Sequence, residues 1–277
     1  MRKPDWLKVR IPSSAEFKRV KGAVERHGLH TVCREARCPN IAECFHSGTA
    51  TFLILGDTCT RNCLYCNIKH GTPARVDESE PERLARAAAE LGLHYVVITS
   101  VARDDLPDGG AGIFARAIEC LRREVPGCGV EVLIPDLRGD WKALEHIIRA
   151  RPDVINHNME VVKPLFKFLR PEGDFGISLD LLRHVHDRGI VSKSGFMIGF
   201  GESREDILEL IGALAQVNCQ RLTIGQYQQP TAGNPHVSRY YSPADFDDFK
   251  EIARRMGFAS VESGPLVRSS YRAAGAG

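Results

Sequence analysis

Over residues 51–262 the chain repeats one unit, a short β-branched or apolar run followed by an amphipathic helical stretch, and this alternation limits the fold more than any other feature. The strand runs fall at 51–55, 95–99, 130–134, 154–155, 190–197, 221–224 and 259–262. Between them, Leu84, Ala88 and Leu91 share one helical face, as do Ile113, Ala117, Ile118 and Leu121. Leu144, Ile147 and Ile148 follow Asp140 as a cap, and Leu181, Leu182 and Val185 follow Ser178 in the same way. Ile207, Ile211 and Leu214 follow Ser203, and Phe246, Phe249, Ile252 and Ala253 follow Pro243. Strands that alternate with helices imply parallel βα units, because parallel neighbours need a long crossover. The expectation is an α/β fold, a partial TIM-like barrel of about six βα units over 51–262. Residues 1–50 form an N-terminal extension and 263–277 a C-terminal tail. Polar and glycine residues gather after each strand, which is where such barrels build active sites.

Two cysteine triads stand at the start of this array. Cys59, Cys63 and Cys66 follow the first strand run on one loop, and Cys33, Cys38 and Cys44 lie upstream in the extension. Each triad offers three soft ligands where a closed structural zinc site needs four. A cubane iron-sulfur cluster held by three thiolates keeps one iron open for another ligand, and an open metal corner is a chemical site. The competing reading of the downstream loop is a zinc knuckle completed by His70 or a distant ligand.

The 277 residues carry nine cysteines, and six of them in tight triads suit a reducing compartment where thiols serve metals. Lys and Arg total 37 against 35 for Asp and Glu, a balance that points away from nucleic acid or an anionic membrane as the main partner. The sequence lacks a run of about 20 apolar residues and a secretory apolar core, so a soluble, cytoplasmic protein is expected.

Cys-x3-Cys-x2-Cys with Tyr65 before the last cysteine resembles the signature of the radical S-adenosylmethionine superfamily. With Cys33-x4-Cys38-x5-Cys44 upstream, the chain closely resembles the lipoyl synthase family. Further matches run along the chain in order: Arg37-Cys38-Pro39-Asn40, Gly56-Asp57-Thr58-Cys59-Thr60-Arg61, Arg103-Asp104-Asp105-Leu106, Asn156-His157-Asn158, Gly225-Gln226-Tyr227 and Arg268-Ser269-Ser270-Tyr271. The resemblance implies two [4Fe-4S] clusters and S-adenosyl-L-methionine as cofactors. Cys59, Cys63 and Cys66 would hold the radical-generating cluster. Cys33, Cys38 and Cys44 would hold an auxiliary cluster whose fourth ligand is Ser269, with Ser270 the fallback.

The implied reaction inserts sulfur at C6 and C8 of an octanoyl chain on a lysine of a lipoyl carrier domain or glycine-cleavage carrier protein, consuming the auxiliary cluster. An electron donor such as ferredoxin or flavodoxin and an iron-sulfur carrier that rebuilds the cluster are implied partners. Around S-adenosylmethionine, Ser100, Arg103 and Asp104 are expected after the second strand. Asn156, Asn158 and Glu160 are expected at the ribose after the fourth, and Gly201 and Glu202 near the adenine after the fifth. Lys193 pairs with a carboxylate in the site or closes a strand. A cap or turn role competes at each of these positions.

His157 reads as a hydrogen-bonded strand-end residue, and Cys120, Cys128 and Cys219 as buried small hydrophobes. Phe45, Tyr65 and Arg34 depart from the usual family residues, and none of these changes removes a ligand. Two other readings remain: a different radical S-adenosylmethionine enzyme with an auxiliary cluster, and a zinc-stapled interaction protein.

Overall fold

A computed structural model describes residues 3–8, 15–32, 49–271 and 273. The chain divides into two compact units, one of Arg10–Arg61, Asn67–Ile155 and Arg272–Gly277, the other of Met1–Val9, Asn62–Cys66 and Asn156–Tyr271.

The first unit contains α1 (Ala15–Arg26), β1 (His30–Thr31), β2 (Thr49–Ile54), β3 (Thr58–Cys59), β4 (Lys69–His70), α2 (Glu80–Leu91), β5 (Tyr95–Ser100), α3 (Ala111–Glu124), β6 (Gly129–Leu133), α4 (Trp141–Arg149) and the start of β7 (Val154–Asn156). Val96, Val97 and Ile98 of β5 and Val130 and Val132 of β6 are buried, the near-continuous apolar run of strands covered on both faces. β2 pairs in parallel with β5, Thr51 opposite Val97, and β5 pairs in parallel with β6. The short β1 runs antiparallel to β2, His30 opposite Leu53. α1 is an addition to the sequence reading of residues 1–50. The other helices behave as their faces predict: Leu84, Ala88 and Leu91 are buried on α2, and Asp140 caps α4 by accepting from the amides of Lys142 and Ala143.

The second unit contains α5 (Lys163–Leu169), α6 (Phe175–Asp187), β8 (Val191–Ile198), α7 (Arg204–Gln216), β9 (Arg221–Gln226), α8 (Pro243–Arg255) and β10 (Ser260–Gly264). β9 pairs in parallel with both β8 and β10, so Leu222 faces Ser194 on one side and Val261 on the other. Phe196, Ile198, Ile207, Ile211, Leu222, Ile224, Phe246 and Phe249 form the centre of its core. α7 and α8 each start with a reciprocal capping box, Ser203 with Asp206 and Ser242 with Asp245. The cap of α6 corrects the sequence reading: Asp174 accepts from the Ile177 amide, and Ser178 lies inside the helix with its hydroxyl donating to the Asp174 carbonyl. Both units follow the α/β pattern that the alternation predicts. No helix among the described residues is long and apolar enough to cross a membrane.

Candidate active site

In the first unit the chain leaves β2 through Leu55 and Gly56, both with left-handed backbone, and turns into β3, which ends at Cys59. The Cys59 carbonyl accepts from the Gly71 amide at 2.9 Å. Its sulfur accepts from the amides of Arg61 at 3.4 Å and Ala102 at 3.3 Å. Thr60 stitches this loop to the one after β5: its amide and hydroxyl both donate to the Ala102 carbonyl at 3.0 Å, and its hydroxyl accepts from the Asp104 amide at 3.1 Å.

Arg61 is gripped along two edges of its guanidinium. Nε and one terminal nitrogen donate to Asp104 at 2.7 and 2.8 Å, and both terminal nitrogens donate to Asp136 at 2.9 and 2.6 Å. Burial opposes the Arg61 charge, but hydrogen bonds and charge from Asp104 and Asp136 outweigh it and hold its pKa above the usual range. Asp104, expected at S-adenosylmethionine, is thus bidentate on Arg61. Arg103 donates to Asp105 at 2.9 and 2.8 Å and to the Leu55 carbonyl at 3.2 Å, anchoring the strand exit. Ser100 ends β5 with its hydroxyl buried and without a hydrogen-bond partner among the described residues.

In the second unit, residues 62–66 form a turn closed by the Cys66 amide on the Cys63 carbonyl at 3.0 Å. The Leu64 amide donates to the Leu169 carbonyl, and Asn234 Nδ2 donates to the carbonyls of Leu64 at 2.9 Å and Cys66 at 3.1 Å. Tyr65 meets Phe200 edge-on, and Phe200 stacks on Tyr227 with ring centres 4.0 Å apart.

Asn156, which ends β7, and His157 and Asn158 after it are buried, with the His157 amide donating to the carbonyl of buried Lys193 on β8. Asn158 Nδ2 donates to Glu160 Oε1 at 2.9 Å and to Ser269 Oγ at 2.6 Å. Burial pushes the Glu160 carboxyl pKa up, against the opposing effects of Arg170, Asn158 and Arg268. Glu202 caps the turn after β8 by accepting from the amides of Gly199 at 2.6 Å and Phe200 at 2.9 Å, and Gly201 there has φ 109°. The tail passes close to β9: a Cβ on Gly225 would lie 2.3 Å from the Val267 carbonyl oxygen.

Cys33, Cys38 and Cys44 lie outside the described residues, and so does the expected approach of Ser269 to Cys38. Cys59, Cys63 and Cys66 are half-buried thiols outside any disulfide. Among the described residues no three His, Cys, Asp or Glu side chains are grouped to hold one metal ion. A cubane asks for something different, one thiolate per iron with N–H donors on sulfur, and the two amides on Cys59 meet the second requirement. Cys59, so supplied with donors, fits a thiolate ligand of such a cluster. The buried Ser100 hydroxyl and Asn158 Oδ1 keep hydrogen-bonding capacity for a polar ligand. Asp136, Asn234 and Gly225 were not picked out individually as site residues by sequence reasoning. Asp136 carried a local signal as a polar residue just after a strand run, and the glycine as part of the Gly225-Gln226-Tyr227 match; Asn234 carried none.

Comparison with known proteins agrees with this architecture. Residues 53–214 match the Radical SAM superfamily, and residues 1–38 match the N-terminal domain of lipoyl synthase of the Radical SAM family. The chain is 53% identical to the lipoyl synthase of Chloroflexus aggregans over 98% of its own length and 90% of the relative's. It is 50% identical to that of Rubrobacter xylanophilus over 98% and 85%. Among solved structures, the FeFe-hydrogenase maturase HydG from Carboxydothermus hydrogenoformans shares the fold with TM-score 0.59 at 16% identity, over 82% of this chain and 64% of that one. Methylornithine synthase (PylB) does so with TM-score 0.56 at 12% identity, over 91% and 79%. Parallel βα units with a three-cysteine loop after an early strand define a radical S-adenosylmethionine enzyme. Within that superfamily, the chain belongs to the lipoyl synthase family.

Proposed function

We propose that this enzyme inserts two sulfur atoms, at C6 and C8, into an octanoyl chain carried on a lysine of a lipoyl carrier domain or glycine-cleavage carrier protein. In this reading Cys59, Cys63 and Cys66 hold one [4Fe-4S] cluster, and Cys33, Cys38, Cys44 and Ser269 hold a second, whose sulfide is transferred. The first cluster, when bound, supplies the electron that cleaves S-adenosylmethionine to the carbon radical needed to take hydrogen from unactivated C–H bonds. The observation that carries the reading is the joint presence of two cysteine triads and a tail serine set against a buried amide, Ser269 at 2.6 Å from Asn158.

The chain's own residues bind and orient. The amides of Arg61 and Ala102 donate to the Cys59 sulfur and fix where it points. Asn234 holds the carbonyls of the 62–66 turn, fixing where Cys63 and Cys66 present their sulfur. Ser100, with its unspent hydroxyl, and the glycine turn capped by Glu202 are proposed contacts for S-adenosylmethionine, with half-buried Glu160 bridged to Phe196 of β8 and Lys193 buried on the same strand. A serine oxygen on a soft iron is a replaceable ligand, which suits a cluster that must give up sulfide. A cytoplasmic location, with ferredoxin or flavodoxin as donor and an iron-sulfur carrier for repair, completes the proposal.

Anaerobic reconstitution with iron and sulfide tests it, followed by reductant, S-adenosylmethionine and an octanoyl-lysyl carrier peptide. About eight irons per chain and a product heavier by two sulfurs are expected. 5′-Deoxyadenosine without sulfur insertion would point instead to a different radical enzyme. Ser269→Cys is expected to keep the second cluster but lose sulfur transfer, since thiolate is the poorer leaving ligand; unimpaired dithiolation would reject Ser269.

A further inference from the structure

The sequence assigns Arg103 and Asp104 to S-adenosylmethionine, yet both side chains are bonded to the segment that carries Cys59 or to a near neighbour. Three consecutive residues after β5 are tied to that segment, each by a different bond. The Ala102 amide donates to the Cys59 sulfur at 3.3 Å, and the Ala102 carbonyl accepts from the amide and hydroxyl of Thr60, both at 3.0 Å. Arg103 donates to the Leu55 carbonyl at 3.2 Å, and Leu55 is held from its other end by its amide, which donates to buried Glu80 at 2.7 Å. Asp104 accepts from Arg61 through both carboxylate oxygens at 2.7 and 2.8 Å, and its amide donates to the Thr60 hydroxyl at 3.1 Å.

Arg61 is anchored on its far edge as well. Its terminal nitrogens donate to Asp136 at 2.9 and 2.6 Å, and the Asp136 carboxylate also accepts from the Arg138 amide at 3.0 Å in the loop after β6. The Arg61 side chain is 5% exposed, so the loop after β5 cannot draw away from it without breaking charged hydrogen bonds where water has little access. The two amides on the Cys59 sulfur therefore differ in kind. That of Arg61 belongs to the cysteine's own loop, whereas that of Ala102 arrives from 43 residues further along and stays in place only if the two loops are held together.

We propose that Thr60 and Arg61 are positioning residues for the Ala102 amide, which they hold on the Cys59 sulfur, and that they thereby set how readily the cluster on this loop accepts an electron. The inference rests on the function proposed above in one respect, that Cys59 ligates a [4Fe-4S] cluster. An N–H bond to a cluster thiolate favours the reduced, more negative form, so losing it lowers the reduction potential.

Two substitutions that leave the formal charge unchanged test the proposal. Thr60→Val keeps the shape and removes both hydroxyl bonds, and Arg61→Lys keeps the cation but gives up the planar fork that spans Asp104 and Asp136. In the apoprotein, amide hydrogen exchange followed by NMR is expected to quicken at Ala102 by roughly tenfold in each variant. The potential is read in full-length protein carrying Cys33→Ala, Cys38→Ala and Cys44→Ala, so that the loop of Cys59, Cys63 and Cys66 holds the sole cluster. Reduction followed by electron paramagnetic resonance is expected to require a more negative potential in both variants than in the parent. Thr60→Val serves alone if Arg61→Lys does not fold. A parental potential in either folded variant would overturn the proposal, as would a parental exchange rate at Ala102. A parental potential with KM for S-adenosylmethionine raised in the enzyme carrying all its cysteines would return this segment to the cofactor. A parent that binds no iron would count against the proposed function instead, and the exchange rates would still decide whether Thr60 and Arg61 hold the amide.

Discussion

Arg61 sits two positions after a cluster cysteine, and its side chain is bonded to carboxylates 43 and 75 residues further along the chain. The guanidinium is 5% exposed and Asp136 3%, so removing the cation strands charge where water cannot reach it. Arg61→Gln is expected to destabilise the apoprotein by about 3 kcal/mol in denaturant titration. Cys219 makes a second prediction at this scale. Burial drives its thiol pKa from 9.0 to about 12, so as pH rises from 9 the unfolded chain loses its proton while the native chain keeps it. The native state then binds more protons, and the stability this thiol contributes, complete below pH 9, is lost as pH approaches 12. The loss amounts to at most about 4 kcal/mol, and Cys219→Ala should flatten the alkaline limb of stability against pH by that amount. The cysteine triads stand out by spacing and residue type, whereas Ser269 is singled out only through the resemblance to the lipoyl synthase family. The partners of Arg61 and Asn158 were not legible, since a contact across 75 or 111 residues leaves no local pattern.

Elements were read more fully than contacts. The seven strand runs match β2 and β5 to β10 to within two residues at each end; in β5 and β6 this follows from burial on both faces, which requires a near-continuous apolar run. α5 escaped notice: it spans seven residues and begins at Lys163-Pro164, too short to show a helical period. Asp174 and Ser178 are both good cap residues one turn apart, and periodicity alone could not tell that the helix starts at the earlier one. The boxed caps of α7 and α8 are testable directly. Ser242→Ala removes the bond the hydroxyl accepts from the Asp245 amide and the one it donates to the Asp245 carboxylate, leaves the bond from the Ser242 amide to that carboxylate, and should lower stability by about 1 kcal/mol, read as a shift in unfolding midpoint at constant slope.

For the whole molecule, the question is how far folding depends on iron. The core of the second unit is built mainly from aliphatic and aromatic residues such as Phe196, Leu210, Ile224 and Phe249, and among the described residues it includes none of Cys59, Cys63 and Cys66. Chelation is therefore expected to abolish cleavage of S-adenosylmethionine while leaving far-UV circular dichroism close to that of the loaded protein. A coincident loss of both would show that the clusters carry folding energy. The contrast between thiols adds a practical consequence. Cys120, Cys128 and Cys219 are buried, whereas Cys59, Cys63 and Cys66 are half-buried. An alkylating reagent applied to the native chain therefore sorts the described thiols into those it can tag and those the fold shields. Mass counting of the tags, before and after iron and sulfide are added, makes each peptide a gauge of which loop has been metallated.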